Sequence, residues 1–151
     1  MGKLPSLLTG IAAILAVTLQ EAAAGDPVVS LGEVSVQAAS RDDLDAEALR
    51  TMVADAVQSI DASTIPRGSH AVLSVSLVRL ESRGSSPAEV SCLVSATLRD
   101  RSRGSVFAVL EGSARGQDEP RRIRALERAI MRAAVGSAVA RVPEAMRRQR
   151  R

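Results

Sequence analysis

Past position 24 the apolar residues follow two rhythms, and the switches between them lay out a fold. Residues 28–36 (VVSLGEVSV), 70–81, 88–98 and 105–114 carry apolar side chains at alternate positions, the period of a strand with one buried face. In the first of these, Val29 and Leu31 share one parity while Val34, Val36 and Ala38 share the other, so a bulge at Gly32 is expected to bring both sets to one face. Ala71, Leu73, Val75 and Leu77 line one face of the second strand, and Val90, Cys92, Val94 and Ala96 line one face of the third. The turn Arg99–Gly104, with Gly104 supplying positive φ, closes a hairpin to the fourth strand, whose core parity is Val106, Ala108, Leu110 and Ala114.

Two segments have helical spacing instead. Residues 40–61 place Leu49, Met52, Val53, Ala56, Val57 and Ile60 on one face, with acids at 42, 43, 45 and 47 where the helix dipole favours them. Asp45 is the expected N-cap, with Leu44 and Leu49 in the hydrophobic-staple positions. The last helix opens at Pro120; at 100° per residue Ile123, Leu126, Ile130, Ala134 and Ser137 share one face, and Arg121, Arg124, Arg128 and Arg132 line the other. Its second half, AAVGSAVA, is small enough to approach a sheet closely, and Pro143 is expected to end it. The order β-α-β-β-β-α predicts an α+β domain over residues 25–142, a four-stranded, mainly antiparallel sheet with both helices on one face, followed by a frayed basic tail over 143–151.

The first 24 residues read differently. A basic start at Lys3, an uncharged stretch Leu7–Leu19 and small residues at Ala22 and Ala24 form a secretory signal peptide, with cleavage expected between Ala24 and Gly25. The apolar core is shorter than the roughly 20 residues of a membrane span, and Gly25 stands where a lipid-anchored chain needs Cys. The mature protein is therefore expected in the periplasm or outside the cell.

Composition narrows the chemistry. Of 20 basic residues 19 are Arg, Phe107 is the only aromatic, and Tyr, Trp and Asn are absent, a skew that suits a GC-rich bacterial genome. Past residue 24 there is no lysine, which excludes Schiff-base chemistry and a lysine-bearing phosphate loop. Cys92 is the only cysteine and His70 the only histidine, so one chain cannot close a disulfide, pair His with a nucleophile or build a multi-His metal site. Cys92 is expected in the core, His70 on the surface. The acids at 42–47 lack the loop of a calcium site and read as a solvated helix start. No catalytic group, metal or cofactor is expected.

Two surfaces remain. Charge is polarised, from a net −6 over residues 25–66 to a net +9 over 67–151, and the ridge Arg121, Arg124, Arg128 and Arg132 could meet an anionic polymer or membrane surface. A hairpin centred near Ser102 sets Thr97 opposite Phe107 and Ser95 opposite Val109, which gathers Leu93, Phe107 and Val109 on the face away from the helices, a candidate contact surface for an envelope protein or a second copy.

The stretch ATLRDRSRGSVFAVLEGSA with the helix ALERAIMRAAVGSAVA resembles small exported α+β domains of bacterial envelope machinery: the amino-terminal domain of TolB, curli-secretion-like domains and penicillin-binding-protein activator lipoproteins. The shared feature is a D-x-x-x-G-x-V hairpin, here Asp100, Gly104 and Val106, before a helix that covers the sheet. The resemblance spans about a third of the chain and implies an assembly or scaffolding role, with no catalytic residues to carry over. Residues 40–142 also resemble double-stranded-RNA-binding domains in their α-β-β-β-α order and in the basic start Arg121, Arg122 and Arg124. Export and the added first strand argue against nucleic acid as the partner.

Overall fold

The computed structural model describes residues 25–37 and 46–151. The leader over 1–24, the acids at 42, 43 and 45 and the staple residue Leu44 lie outside the described residues. In chain order come β1 (Val29–Val36), α1 (Ala46–Gln58), β2 (Ala71–Arg83), β3 (Ala88–Asp100), β4 (Val106–Asp118), α2 (Ile123–Val139) and α3 (Val142–Gln149). Pro120 opens a single 3-10 turn, Pro120–Arg122, that leads into α2.

The strands lie side by side in chain order. β1 runs parallel to β2, and α1 supplies the crossover that a parallel pair requires. β2 with β3 and β3 with β4 are antiparallel, so the fold is α+β with a mostly antiparallel sheet. α1 packs on β1, α2 packs on β3 and β4, and the two helices touch each other. Between sheet and helices lies an aliphatic core: Leu73, Val75 and Leu77 of β2 and Val90, Cys92, Val94, Ala96 and Leu98 of β3 meet Leu49 and Val53 of α1 and Ala134, Val135 and Ala138 of α2.

Three register shifts decide which side chains reach that core. The shift between Leu31 and Val34 falls at Gly32, where the change of parity requires it, and Val29, Leu31, Val34 and Val36 all pair with core residues of β2. In β2, Leu77 pairs with Val94 and Arg79 with Leu93, so Val78 is the extra residue. Past it the parity inverts: Arg79 turns outward, while Leu80 and Ser82 stand opposite the buried Cys92 and Val90. In β4, Ala108 pairs with Leu98 and Val106 with Arg99, which makes Phe107 the inserted residue.

That third bulge corrects two expectations. Val106, assigned to the core by parity, is outward and 51% exposed, whereas Phe107, assigned to the open face, packs against the core cluster. Two residues opposite one exchange the faces on either side of the insertion. The C-terminus is a further correction: residues 142–149 form α3 rather than a frayed tail, with Val142 and Met146 fully buried. Pro143 stands in the first turn of this helix, where its missing N–H costs nothing.

Candidate interaction face

The three bulges also shape the face that no helix covers among the described residues. Registers run across it in rows: Ser35, Ser76, Ser95 and Glu111; Ser74, Thr97 and Val109; Val72, Arg99 and Val106; Arg79, Leu93 and Ser113; Glu81, Ser91 and Arg115. Hydroxyls dominate, and Ser35 and Ser76 share a hydrogen bond of 2.8 Å between their Oγ atoms. The bulge at Phe107 brings Val106 beside the 62%-exposed Val109, an apolar pair at the hairpin end of the face.

Leu93, Phe107 and Val109 are therefore not one patch. Leu93 pairs with Ser113 and Val109 with Thr97, four residues further along β3 and so about 13 Å away. The register is offset by two from a hairpin centred at Ser102. Asp100 explains the offset: its Oδ1 accepts from the Ser102 N–H (2.9 Å), the Arg103 N–H (2.9 Å) and Ser102 Oγ (2.6 Å), and its own N–H donates to the Ser105 carbonyl, which closes a longer, asymmetric loop. These hydrogen bonds hold its carboxyl down at about 2. Gly104, at φ +69°, occupies the left-handed position expected of it.

Around Leu93 the face sinks into a depression of about 430 Å³ lined by Arg79, Ser91, Leu93, Ser113 and Arg115. Sequence alternation misses Arg79 because the inserted Val78 cannot be seen in a segment whose apolar residues continue on both parities. Arg115 lies 3.6 Å from Glu89. A second depression of about 430 Å³, at the hairpin end, gathers Asp26, His70, Asp100, Arg101, Arg103 and Arg150. His70 is exposed there, immediately before β2.

Arg121, Arg124, Arg128 and Arg132 are all exposed on the outer side of the helix layer. Arg121 pairs with Glu119, Nε to Oε2 at 2.5 Å. On the inner side of the same helix Glu127 is buried and accepts a 2.7 Å hydrogen bond from Ser82 Oγ, a partner turned inward by the bulge at Val78. Cys92 is 3% exposed, and burial pushes its thiol up to about 11, which disfavours the reactive thiolate. Among the described residues, no group of three or more His, Cys, Asp or Glu is placed to hold a metal, and no helix is long and apolar enough to cross a membrane.

No protein-family model matches the chain, and no curated protein matches it. A solved structure shares its fold, and two others overlap with it less well. A Xanthomonas campestris protein of the DUF330 family superposes with a TM-score of 0.58 at 13% identity, over 81% of this chain and 86% of that one. The PelC dodecamer of Paraburkholderia phytofirmans gives 0.47 at 12% identity, over 74% and 86%. A Caulobacter crescentus chain assigned provisionally as a lipoprotein gives 0.46 at 16% identity, over 82% and 90%.

Proposed function

We propose that this chain is an exported, non-catalytic interaction module of the bacterial cell envelope that meets a protein partner through the open face of its sheet. The observation that carries the reading is the asymmetry of the sheet. All three helices join the core on one side, and the other side presents Leu93, Val106 and Val109 among hydroxyls, with Arg79, Arg99, Glu111 and Arg115 in the same rows or the next. Val106 and Val109, both more than half exposed, and Leu93 in its depression are the apolar groups there that a partner would cover. Two supports lie outside it: the leader pattern over residues 1–24, and a fold shared with the DUF330 chain. Kinship with TolB, curli-secretion or penicillin-binding-protein activator domains belongs to the same reading, its support being the hairpin built on Asp100 and Gly104.

Photo-crosslinking in cells tests it. A crosslinker at Leu93 or Val109 is expected to give discrete protein adducts that one at Asp55, exposed on α1, does not give. Adducts from none of these sites, or equally from all, refute the reading. The exposed arginines favour a second one, contact with an anionic polymer or membrane surface through Arg121, Arg124, Arg128 and Arg132. Binding to anionic vesicles that is insensitive to added salt refutes that reading.

A further inference from the structure

β4 is a sheet edge 13 residues long, and among the described residues no backbone group pairs with its outer side. Alternate N–H and C=O groups point out from such an edge, which makes it a template for another strand. Natural edges are blunted by Pro, Lys and other charges, or by bulges; Val106–Asp118 contains no Pro or Lys, its bulge at Phe107 lies at the hairpin end, and Glu111 and Arg115 stand among neutral residues beyond it. The helix above offers no bulk to block an approach. At 100° per residue Leu126, Ala133 and Ser137 share one flank of α2, and Leu126 packs over Gly116 of β4.

From these features we infer that the edge takes a second copy of this chain, two β4 strands pairing antiparallel about a two-fold axis at Ser113. The charge pattern selects that register. About Ser113, Glu111 faces Arg115 of the other copy twice over, and on the inner face Leu110 faces Gly116 and Gly112 faces Ala114. An axis at Glu111 would set Glu111 against itself, and one at Arg115 would set Arg115 against itself. An axis at Gly112 or Ala114 would leave both charges facing uncharged residues. Glu111 is exposed and makes no ion pair among the described residues, so its carboxylate is free for this contact. A two-fold axis makes each favourable pair occur twice, and likewise each repulsive one. The pairing uses the edge and leaves the open face uncovered, so it stands or falls apart from the partner proposed above.

Charge reversal tests the inference on the chain expressed with its own leader. Sedimentation equilibrium is expected to show a dimer at concentrations on the order of 0.1 mM. Glu111→Arg and Arg115→Glu singly set like charges opposite each other in both pairs and are expected to weaken the dimer by about tenfold or more, while the double variant recovers near wild-type affinity. Circular dichroism melts matching wild type verify that these exposed changes leave the fold intact. A wild-type chain that stays monomeric, single variants that associate undiminished, or a double variant as weak as the singles overturns the inference. Crosslinks from Leu93 are expected to persist in Glu111→Arg, which lies outside the depression around Leu93, if the face binds its own partner.

Discussion

Replacing Gly112 by Ala adds one carbon where α2 lies closest to the sheet. A Cβ there would stand 2.7 Å from the Ala138 nitrogen, 2.9 Å from the Ala138 Cβ, and closer still to the Ala134 carbonyl oxygen. Two of those three atoms are helix backbone, which cannot turn aside as a side chain can. Restoring ordinary contact requires α2 to lift by about 1 Å from a core in which Ala134 and Ala138 are at most 1% exposed. Overpacking of this kind costs about 3 kcal/mol. The smaller entropy of an unfolded Ala offsets roughly 0.5–1 kcal/mol of it, which leaves a net loss of about 2 kcal/mol and a melting point lower by roughly 5–10 °C. Gly136→Ala is the matched control: the same change in the unfolded chain, but nothing lies within 4 Å of the new carbon and the site is inside a helix. It is expected to gain about 0.5–1 kcal/mol. The chain has no Trp or Tyr, so urea unfolding is followed by far-ultraviolet circular dichroism. A Gly112→Ala variant as stable as wild type, or two variants shifted alike, would refute the close-packing argument.

Cys92 is expected to resist thiol reagents at pH 8 in the folded protein and to react promptly in urea. Because burial raises its pKa from 9.0 to about 11, the stability it contributes is complete below pH 9 and is lost as pH rises towards 11. Cys92→Ser melts that fall as steeply with pH as wild type over that range would contradict this. For Asp100 the sign is opposite: its carboxyl is depressed from 3.8 to about 2, so its contribution is present above pH 3.8 and disappears as pH falls towards 2. Asp100→Asn is therefore expected to flatten acid destabilisation in that window, and an unchanged acid limb in thermal melts would count against the hairpin geometry.

Element identity was legible because alternation and helical spacing are local. The strand parity of Val90, Cys92, Val94, Ala96 and Leu98 survives intact in the buried face of β3. The bulge at Gly32 was legible too, since the parity of the apolar residues changes there. The buried place of Glu127 could have been found the same way: at 100° per residue it falls between Ala134 and Ala138 on the apolar face of α2. Val78 and Phe107 hid their insertions because each is itself apolar and sits in a run where either parity looks like a strand. A bulge is a property of two strands, and only the partner's register reveals it.

Local patterning thus established an α+β chain of four strands with two long helices, one aliphatic core face and an arginine-rich helix exterior, all consequences of side-chain periodicity. Assembly settled the rest. The Asp100 hydrogen bonds moved the hairpin register by two and parted Leu93 from Val109. The inserted Phe107 turned to the core and delivered Val106 to the surface in its place. Residues past Pro143 became a helix rather than a tail, because burial of Val142 and Met146 against the finished core supplies what eight residues lack as an isolated helix. Each of these depends on contacts between residues far apart in the chain, which no window along it contains.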